Sequence, residues 1–174
     1  MPILSYTSRR ELEEHSFSPA TTLLVPIAAI VAQVLLSKLY WRFSLLDLPL
    51  IVTIFFSVSR RSPAAGTLTG AAIGLMQDAL TGRPIGVNGM AKSVIGYIAS
   101  SIGISVDVDS LTTRIVMNFA FSLLNSGILF LIDQRLLGLS NIHLQWIQEL
   151  LRALGNTVIA IPVFLLLDLT KRPE

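Results

Sequence analysis

Cysteine is absent from the 174 residues, and histidine occurs only as His15 and His143. The absence of cysteine excludes disulfides, thiolate metal sites and a cysteine nucleophile. Two histidines this far apart make a poor metal site. Asp107 and Asp109 resemble the start of a calcium loop, but the glycine and the final glutamate of such a loop are missing. We therefore expect no bound metal and no cofactor.

The common catalytic motifs are also missing. The chain has no Gly-x-Ser-x-Gly, no His-Glu-x-x-His and no pair of carboxylates in the middle of an apolar run. The stretch "GRPIGVNG" is rich in glycine, but the Lys-Ser/Thr pair of a phosphate-binding loop does not follow it. We expect that the protein is not an enzyme.

Charge is scarce and apolar residues are abundant. Charged residues make up 14% of the chain and hydrophobic residues 52%, and the mean hydropathy is +0.69. Soluble domains contain about 25% charged residues, so this composition indicates an integral membrane protein. The net charge is +2, and the lysine and arginine residues are scattered near helix ends rather than gathered in a patch. This distribution argues against nucleic acid as a partner.

Apolar runs separated by charged and turn residues predict an all-α fold with six transmembrane helices. The predicted spans are 21–40, 45–59, 64–80, 88–105, 111–133 and 153–169. We expect them to form one membrane domain over residues 21–170. A polar segment, 1–20, would precede it in the cytoplasm, and a tail, 171–174, would follow it.

The segment 141–152, ahead of the last span, has two possible readings. Ile142, Trp146 and Leu150 recur at helical spacing with polar residues on the opposite face, which is typical of a helix lying in the membrane interface. Alternatively, the segment extends the last span.

The distribution of lysine and arginine favours cytoplasmic termini, because cytoplasmic loops of membrane proteins carry an excess of these residues. The inner side would then hold Arg9, Arg10, Arg60, Arg61, Arg114, Lys171 and Arg172, and the outer side Lys38, Arg42, Arg83, Lys92, Arg135 and Arg152. The excess is small, but several of the outer residues lie within helices.

Three glycines form a stripe on the third span. Gly66, Gly70 and Gly74 are four residues apart and therefore share one helix face. Small residues at this spacing let helix backbones approach closely in a membrane. We expect this face to pack against another helix of the chain or against a partner.

Four ionisable residues are predicted to meet at the outer membrane face, namely Asp47, Asp78, Lys92 and Asp133. A charged side chain at the centre of a membrane helix costs about 2.5–3.5 kcal/mol on insertion scales, so it usually has a partner or a role. We expect Lys92 to pair with Asp78 or Asp47 in a structural polar cluster. Two alternatives are that each side chain reaches the headgroups separately and that Asp78 is an ion or proton site.

Residues 70–100, "GAAIGLMQDALTGRPIGVNGMAKSVIGYIAS", resemble the most characteristic stretch of the rod shape-determining protein MreD family. That family has Gly-Leu-x-x-Asp, then a glycine-containing turn, then an apolar helix ending near Gly-Tyr. The corresponding residues here are Gly74, Leu75 and Asp78, then Gly82 and Gly86 in the turn, then Gly96 and Tyr97. Asp47 in "LLDLPL" is similar to the Asp of a Pro-Asp-Leu element of the family, with Leu46 in place of the proline.

The resemblance implies a non-catalytic inner-membrane component of the Rod complex, which maintains rod shape by supporting lateral peptidoglycan synthesis. It implies an MreC-like partner, contact with membrane lipid and, directly or indirectly, contact with RodA, a class B penicillin-binding transpeptidase and MreB. The family is similar in fold to the substrate-binding component of energy-coupling-factor transporters. The alternative function is therefore a component of such a transporter that binds a small, vitamin-like molecule. It would have a ligand-sized cavity where a scaffold would have a packed interior.

Overall fold

The computed structural model describes residues 18–106, 110–138 and 145–169, and all regular structure in these ranges is helical. The six α-helices are α1 (Pro19–Leu39), α2 (Leu48–Arg60), α3 (Pro63–Thr81), α4 (Val87–Ser105), α5 (Leu111–Arg135) and α6 (Trp146–Asp168). A 3-10 helix, Trp41–Leu45, lies between α1 and α2. The predicted all-α fold is confirmed.

Side-chain caps and prolines fix where α2 and α3 begin. The Asp47 carboxylate accepts a hydrogen bond from the Leu50 N–H at 3.0 Å, and the Ser62 hydroxyl accepts one from the Ala65 N–H at 3.4 Å. Both helices have proline in their first two positions, where its missing N–H leaves no helical bond unmade. The cap at Asp47 explains why α2 begins three residues later than the predicted span.

Four of the helical segments are long and apolar enough to cross a membrane, which identifies a membrane protein. They are Ala20–Leu39, Phe43–Arg60, Leu111–Arg135 and Trp146–Asp168. The helices α3 and α4 have 19 residues each, about 28 Å at 1.5 Å per residue, but they contain more glycine and polar residues. Both were among the six predicted spans.

The helix α2 lies at the centre of the bundle. Its residues 49–59 are all buried, and each of the other five α-helices contacts it. Around it the neighbouring helices follow the order α1, α3, α4, α5, α6. Apolar side chains of α2 form most of the core, including Phe55, whose ring packs edge-on against that of Phe164 at 5.3 Å. The main apolar core thus surrounds α2, and a smaller one lies between α4 and α5, with Val87, Ala91 and Ile132.

The central helix is much shorter than the helices around it. With 13 residues α2 is about 20 Å long, whereas α5, with 25 residues, reaches about 37 Å. The helices alternate in direction, so the end where α2 begins is also where α3 ends and α4 begins. We call this the cavity end and the opposite one, near Pro19 and Asp168, the terminal end.

The helix α6 begins at Trp146, so residues 146–152 are its first two turns and continue into the last predicted span. Residues 141–144 of the predicted amphipathic segment, with His143, lie outside the described residues. So do Asp107, Asp109, the tail 171–174 and all of the polar N-terminal segment before residue 18, including His15.

Candidate functional site

The glycine stripe packs against α4 of the same chain. A Cβ atom at Gly70 would meet the carbonyl oxygen of Lys92, and one at Gly74 would meet that of Asn88. At Gly66 it would meet the Gly96 carbonyl oxygen, and a Cβ at Gly96 would in turn meet the Gly66 carbonyl. The two backbones are therefore in direct contact, and this face is covered within the chain.

The Asp78 carboxylate caps the start of α4. Asp78 is fully buried and accepts hydrogen bonds from the backbone N–H groups of Gly86 (2.9 Å), Asn88 (3.0 Å) and Gly89 (3.4 Å). A fourth bond comes from the Asn88 side-chain amide at 2.7 Å. These N–H groups lie at the positive end of the helix dipole, which favours a carboxylate. Asp78 thus ties the end of α3 to the beginning of α4.

Two glycines allow the turn between α3 and α4. Gly82, which follows α3, has φ of +69°, and Gly86, which precedes α4, has φ of +105°. Residues with a side chain rarely adopt such values. The two glycines of the family-motif turn therefore reverse the chain within a few residues, and the reversal brings Asn88 back to Asp78.

Lys92 is completely buried and pairs with Asp47. Its Nζ atom lies 2.8 Å from Asp47 Oδ2, and the Lys92 side chain has 0% exposure against 16% for Asp47. Of the two partners considered for Lys92, the structure therefore shows Asp47. Lys92 Nζ also lies 3.4 Å from Asn88 Oδ1, so Asn88 connects it to Asp78.

Amide side chains complete this network, and sequence reasoning missed most of them. Asn156 of α6 accepts a hydrogen bond from the Asp47 N–H at 2.9 Å, and Gln77 of α3 donates to Asp47 Oδ1 at 3.4 Å. Gln33 of α1 donates to the Leu46 carbonyl at 2.6 Å. Amides inside apolar spans are the sequence signal for such contacts, and this signal predicts interhelical hydrogen bonds for Asn118, Asn125 and Asn156.

Two further ion pairs lie at the cavity end. Arg83, in the turn after α3, is 3.2 Å from Asp133 near the end of α5. Arg152 of α6 is 3.1 Å from Glu149 one turn earlier. Asp133 is therefore at the predicted end of the bundle, but its partner belongs to the turn and not to the buried cluster.

A cavity of about 760 Å³ occupies the space beyond the start of α2. Every α-helix and the 3-10 helix contribute to its wall. The polar and charged residues that line it are Gln33, Ser37, Lys38, Ser44, Asp47, Gln77, Thr81, Arg83, Asn88, Ser122, Asn125, Ser126, Asp133, Glu149, Arg152 and Asn156. The interior is thus packed around α2 but open at the cavity end.

The terminal end is held by arginines. Arg114 of α5 bonds to the Asp168 carboxylate of α6, with Nη2 at 3.2 Å from Oδ1. Arg60 of α2 donates to the hydroxyls of Thr22 on α1 (2.9 Å) and Thr69 on α3 (3.1 Å). These pairings could not be predicted from local sequence, because each joins residues on different helices.

Comparison with models of known protein families shows to which family the chain belongs. A family model described as rod shape-determining protein MreD matches residues 16–170. The chain belongs to the MreD family. The match covers every described helix of this MreD protein, whereas the sequence resemblance depended on a motif of about thirty residues.

In this MreD protein the family-like motif is the contact between α3 and α4. Gly74 and Asp78 both face the first turn of α4, and Gly96 faces Gly66. Tyr97 differs, since it is 55% exposed on the outer surface of the bundle. The motif therefore mostly encodes one helix-pair contact.

No curated protein and no solved structure matches this MreD protein. The expected likeness to the substrate-binding component of energy-coupling-factor transporters is accordingly not supported. The cavity at the end of α2 has the size expected for a transport component, but the family match favours rod shape determination over that alternative.

Proposed function

We propose that the protein is a non-catalytic membrane scaffold of the Rod complex that spans the bacterial inner membrane six times. The match of the MreD family model to residues 16–170 carries this proposal. Such a scaffold maintains rod shape by supporting lateral peptidoglycan synthesis and acts by holding other proteins in position.

The contacts of the bundle suit a scaffold. At the cavity end Asp47 binds groups from α4, α3 and α6, and at the terminal end Arg60 joins α1, α2 and α3. The α3–α4 backbones are in direct contact between these two ends. Fixed helices would present a constant outer surface to a partner.

Six spans require α3 and α4 to cross the membrane although they are less apolar. Their polar residues Asp78, Asn88 and Lys92 have at most 2% exposure, so they do not meet lipid. Their outward residues include Leu68, Leu75, Val94 and Tyr97, which are apolar or suited to the interface. The burial pattern therefore supports insertion of both helices.

Burial of basic residues also supports cytoplasmic termini. The positive-inside rule concerns lysine and arginine in short loops and at span ends. Lys92 is fully buried in α4, and Arg152 lies within α6, so neither is a loop residue. Leaving them out strengthens the excess of positive charge on the side that holds both termini.

The partner would be an MreC-like protein with a single membrane helix, linked directly or indirectly to RodA, the class B transpeptidase and MreB. Since α4 covers Gly66, Gly70 and Gly74, such a helix would bind elsewhere. The lipid-facing surface of the bundle offers large apolar side chains for this contact, among them Leu35 on α1 and Leu124 on α5.

Co-purification and cell shape test the proposal together. The chain, co-expressed with the MreC-like protein of its own organism, should retain that protein on an affinity column in mild detergent. An unrelated protein with one membrane helix is the control. In rod-shaped cells depleted of their own MreD protein, both proteins together should restore rods. Absence of retention, combined with cells that stay round, would refute the scaffold function.

A further inference from the structure

The cavity at the end of α2 contains hydrogen-bond acceptors without a donor. Gln77 and Asn125 both line it and are 9% and 4% exposed. The amide oxygens of both side chains are buried and have no hydrogen-bond partner among the described residues. Buried polar atoms are nearly always hydrogen-bonded in native proteins, so two such atoms on one cavity wall point to a missing donor.

The orientation of the Gln77 amide is fixed by its neighbour. Its Nε2 atom faces Asp47 Oδ1 at 3.4 Å. Rotating the amide by 180° would place its oxygen against the carboxylate, which only accepts hydrogen bonds. Gln77 therefore presents an acceptor that a bound molecule would have to satisfy with an O–H or N–H group.

The charges of the cavity wall favour an uncharged group. Asp47 is paired with Lys92, Asp133 with Arg83 and Glu149 with Arg152, all within 3.2 Å. Lys38, which is exposed on α1, is the only other charged residue among the described residues that line the cavity. A charged molecule would have to compete with one of these pairs, whereas a neutral one would not.

The size and setting of the cavity suit a headgroup. Its volume of about 760 Å³ lies within the range of about 300–1,000 Å³ that is usual for small-molecule sites. It lies at one end of a membrane bundle, and its wall also contains Val34, Leu80 and Phe130, which suit an acyl chain or a glycerol backbone.

We propose that this cavity binds an uncharged group rich in O–H or N–H donors, carried by a membrane lipid or by a free molecule of the same chemistry. Its donors bond to Gln77 Oε1 and Asn125 Oδ1. This site goes beyond the scaffold function and does not depend on it.

Thermal unfolding of the purified protein in detergent tests the proposal with three probes. Glucosyl-diacylglycerol offers sugar hydroxyls on a lipid, phosphatidylcholine is a lipid without a headgroup donor, and glucose offers the hydroxyls alone. At about ten times its Kd, a ligand specific for the folded state raises Tm by about 3–6 °C for a chain of this size. We expect that shift with the glucosyl lipid and not with phosphatidylcholine.

Glucose distinguishes the sources of the group. An equal shift with glucose supports a free molecule, and a shift that needs the acyl chains supports a lipid headgroup. Equal responses to the glucosyl lipid and phosphatidylcholine, with no response to glucose, would overturn the proposal and leave water as the partner of both oxygens.

Leucine variants show whether the shift arises at this site. Gln77→Leu with Asn125→Leu removes both acceptors and should abolish the response. Asn118→Leu is the matched control, since Asn118 Oδ1 is also buried without a partner among the described residues but faces a different, small pocket. The control should keep the full shift.

If the double variant does not fold, Asn125→Leu alone should reduce the response. A wild-type response in the double variant, or in Asn125→Leu alone when only that variant folds, would refute the assignment.

Discussion

Lys92 Nζ and Asp47 Oδ2 are 2.8 Å apart, and they join the second turn of α4 to the residue that caps α2. The pair crosses the bundle at the cavity end, where the central helix begins. Because Lys92 is fully buried, its ammonium group has exchanged water for one carboxylate and one amide oxygen.

Removing one member of this pair should destabilise the protein strongly. Lys92→Met keeps the length of the side chain but leaves a carboxylate in a largely buried site, and breaking a buried pair in this way costs about 3–5 kcal/mol. The free energy of unfolding in mixed micelles measures the loss. The double variant Lys92→Met with Asp47→Asn should recover most of it, since asparagine still caps α2. Losses that simply add would contradict the pairing.

Asp78→Asn should also lower the free energy of unfolding. The carboxylate accepts four hydrogen bonds, and asparagine would replace one acceptor with an NH2 group that faces donors. Bonds to a charged group contribute about 1.5–3 kcal/mol each, so a loss of at least that size is expected. Asp133→Asn removes the carboxylate of an exposed pair and should cost about 1 kcal/mol or less. Equal losses in both variants would argue against the capping role.

A methyl group at Gly70 should separate α3 from α4. Gly70→Ala places a Cβ against the Lys92 carbonyl, and overpacking of this kind costs about 1–3 kcal/mol or more. Gly127→Ala is the control, because a Cβ there meets no atom of the described chain within 4 Å. Alanine in a helix is favoured over glycine by about 1 kcal/mol, so this variant should be slightly more stable. The unfolding temperatures of both variants measure the difference. Equal unfolding temperatures for Gly70→Ala and Gly127→Ala would contradict the close contact between α3 and α4.

Two asparagines should respond differently to replacement by leucine. Asn156→Leu removes the acceptor of the Asp47 N–H and the donor to Ser122, and an unsatisfied buried group costs about 1–3 kcal/mol. Asn118→Leu removes an oxygen that has no partner among the described residues and one hydrogen bond, from Asn118 Nδ2 to the Arg114 carbonyl at 3.0 Å, so it should lower the free energy of unfolding by only about 1 kcal/mol. A larger loss in Asn118→Leu would show that its oxygen is bonded in the membrane.

The boundaries of the helices were largely predictable from the sequence. Long apolar runs end at charges, and residues such as Pro63 and Gly82 mark a start and a stop with a direct physical cause. The predicted second span starts three residues before α2, because the apolar run already begins in the 3-10 helix, ahead of the Asp47 cap. Local chemistry was therefore a reliable guide wherever one residue alone decides the boundary.

The pairing of side chains across helices could be predicted only in part. The sequence predicts that Asp47, Asp78 and Lys92 lie at one end, because alternating helices leave few choices, and in the structure Asn88 connects Asp78 to the Lys92–Asp47 pair. It could not choose the partner of Lys92, since that depends on how closely α2 approaches α4. The contact of the glycine stripe with α4 had a signal in Gly96, which faces Gly66. No sequence pattern predicted the cavity, because it results from the difference in length between α2 and its neighbours.

The distance along the chain between Asp47 and Lys92 also affects how the protein is made. The two residues are 45 positions apart, so at a synthesis rate of about 5–20 residues per second Lys92 follows Asp47 by about 2–9 seconds. During that interval α2 is in or near the membrane with an uncompensated carboxylate. We therefore expect the translocon or an insertase to retain the first helices until α4 arrives, so that α2, α3 and α4 insert together.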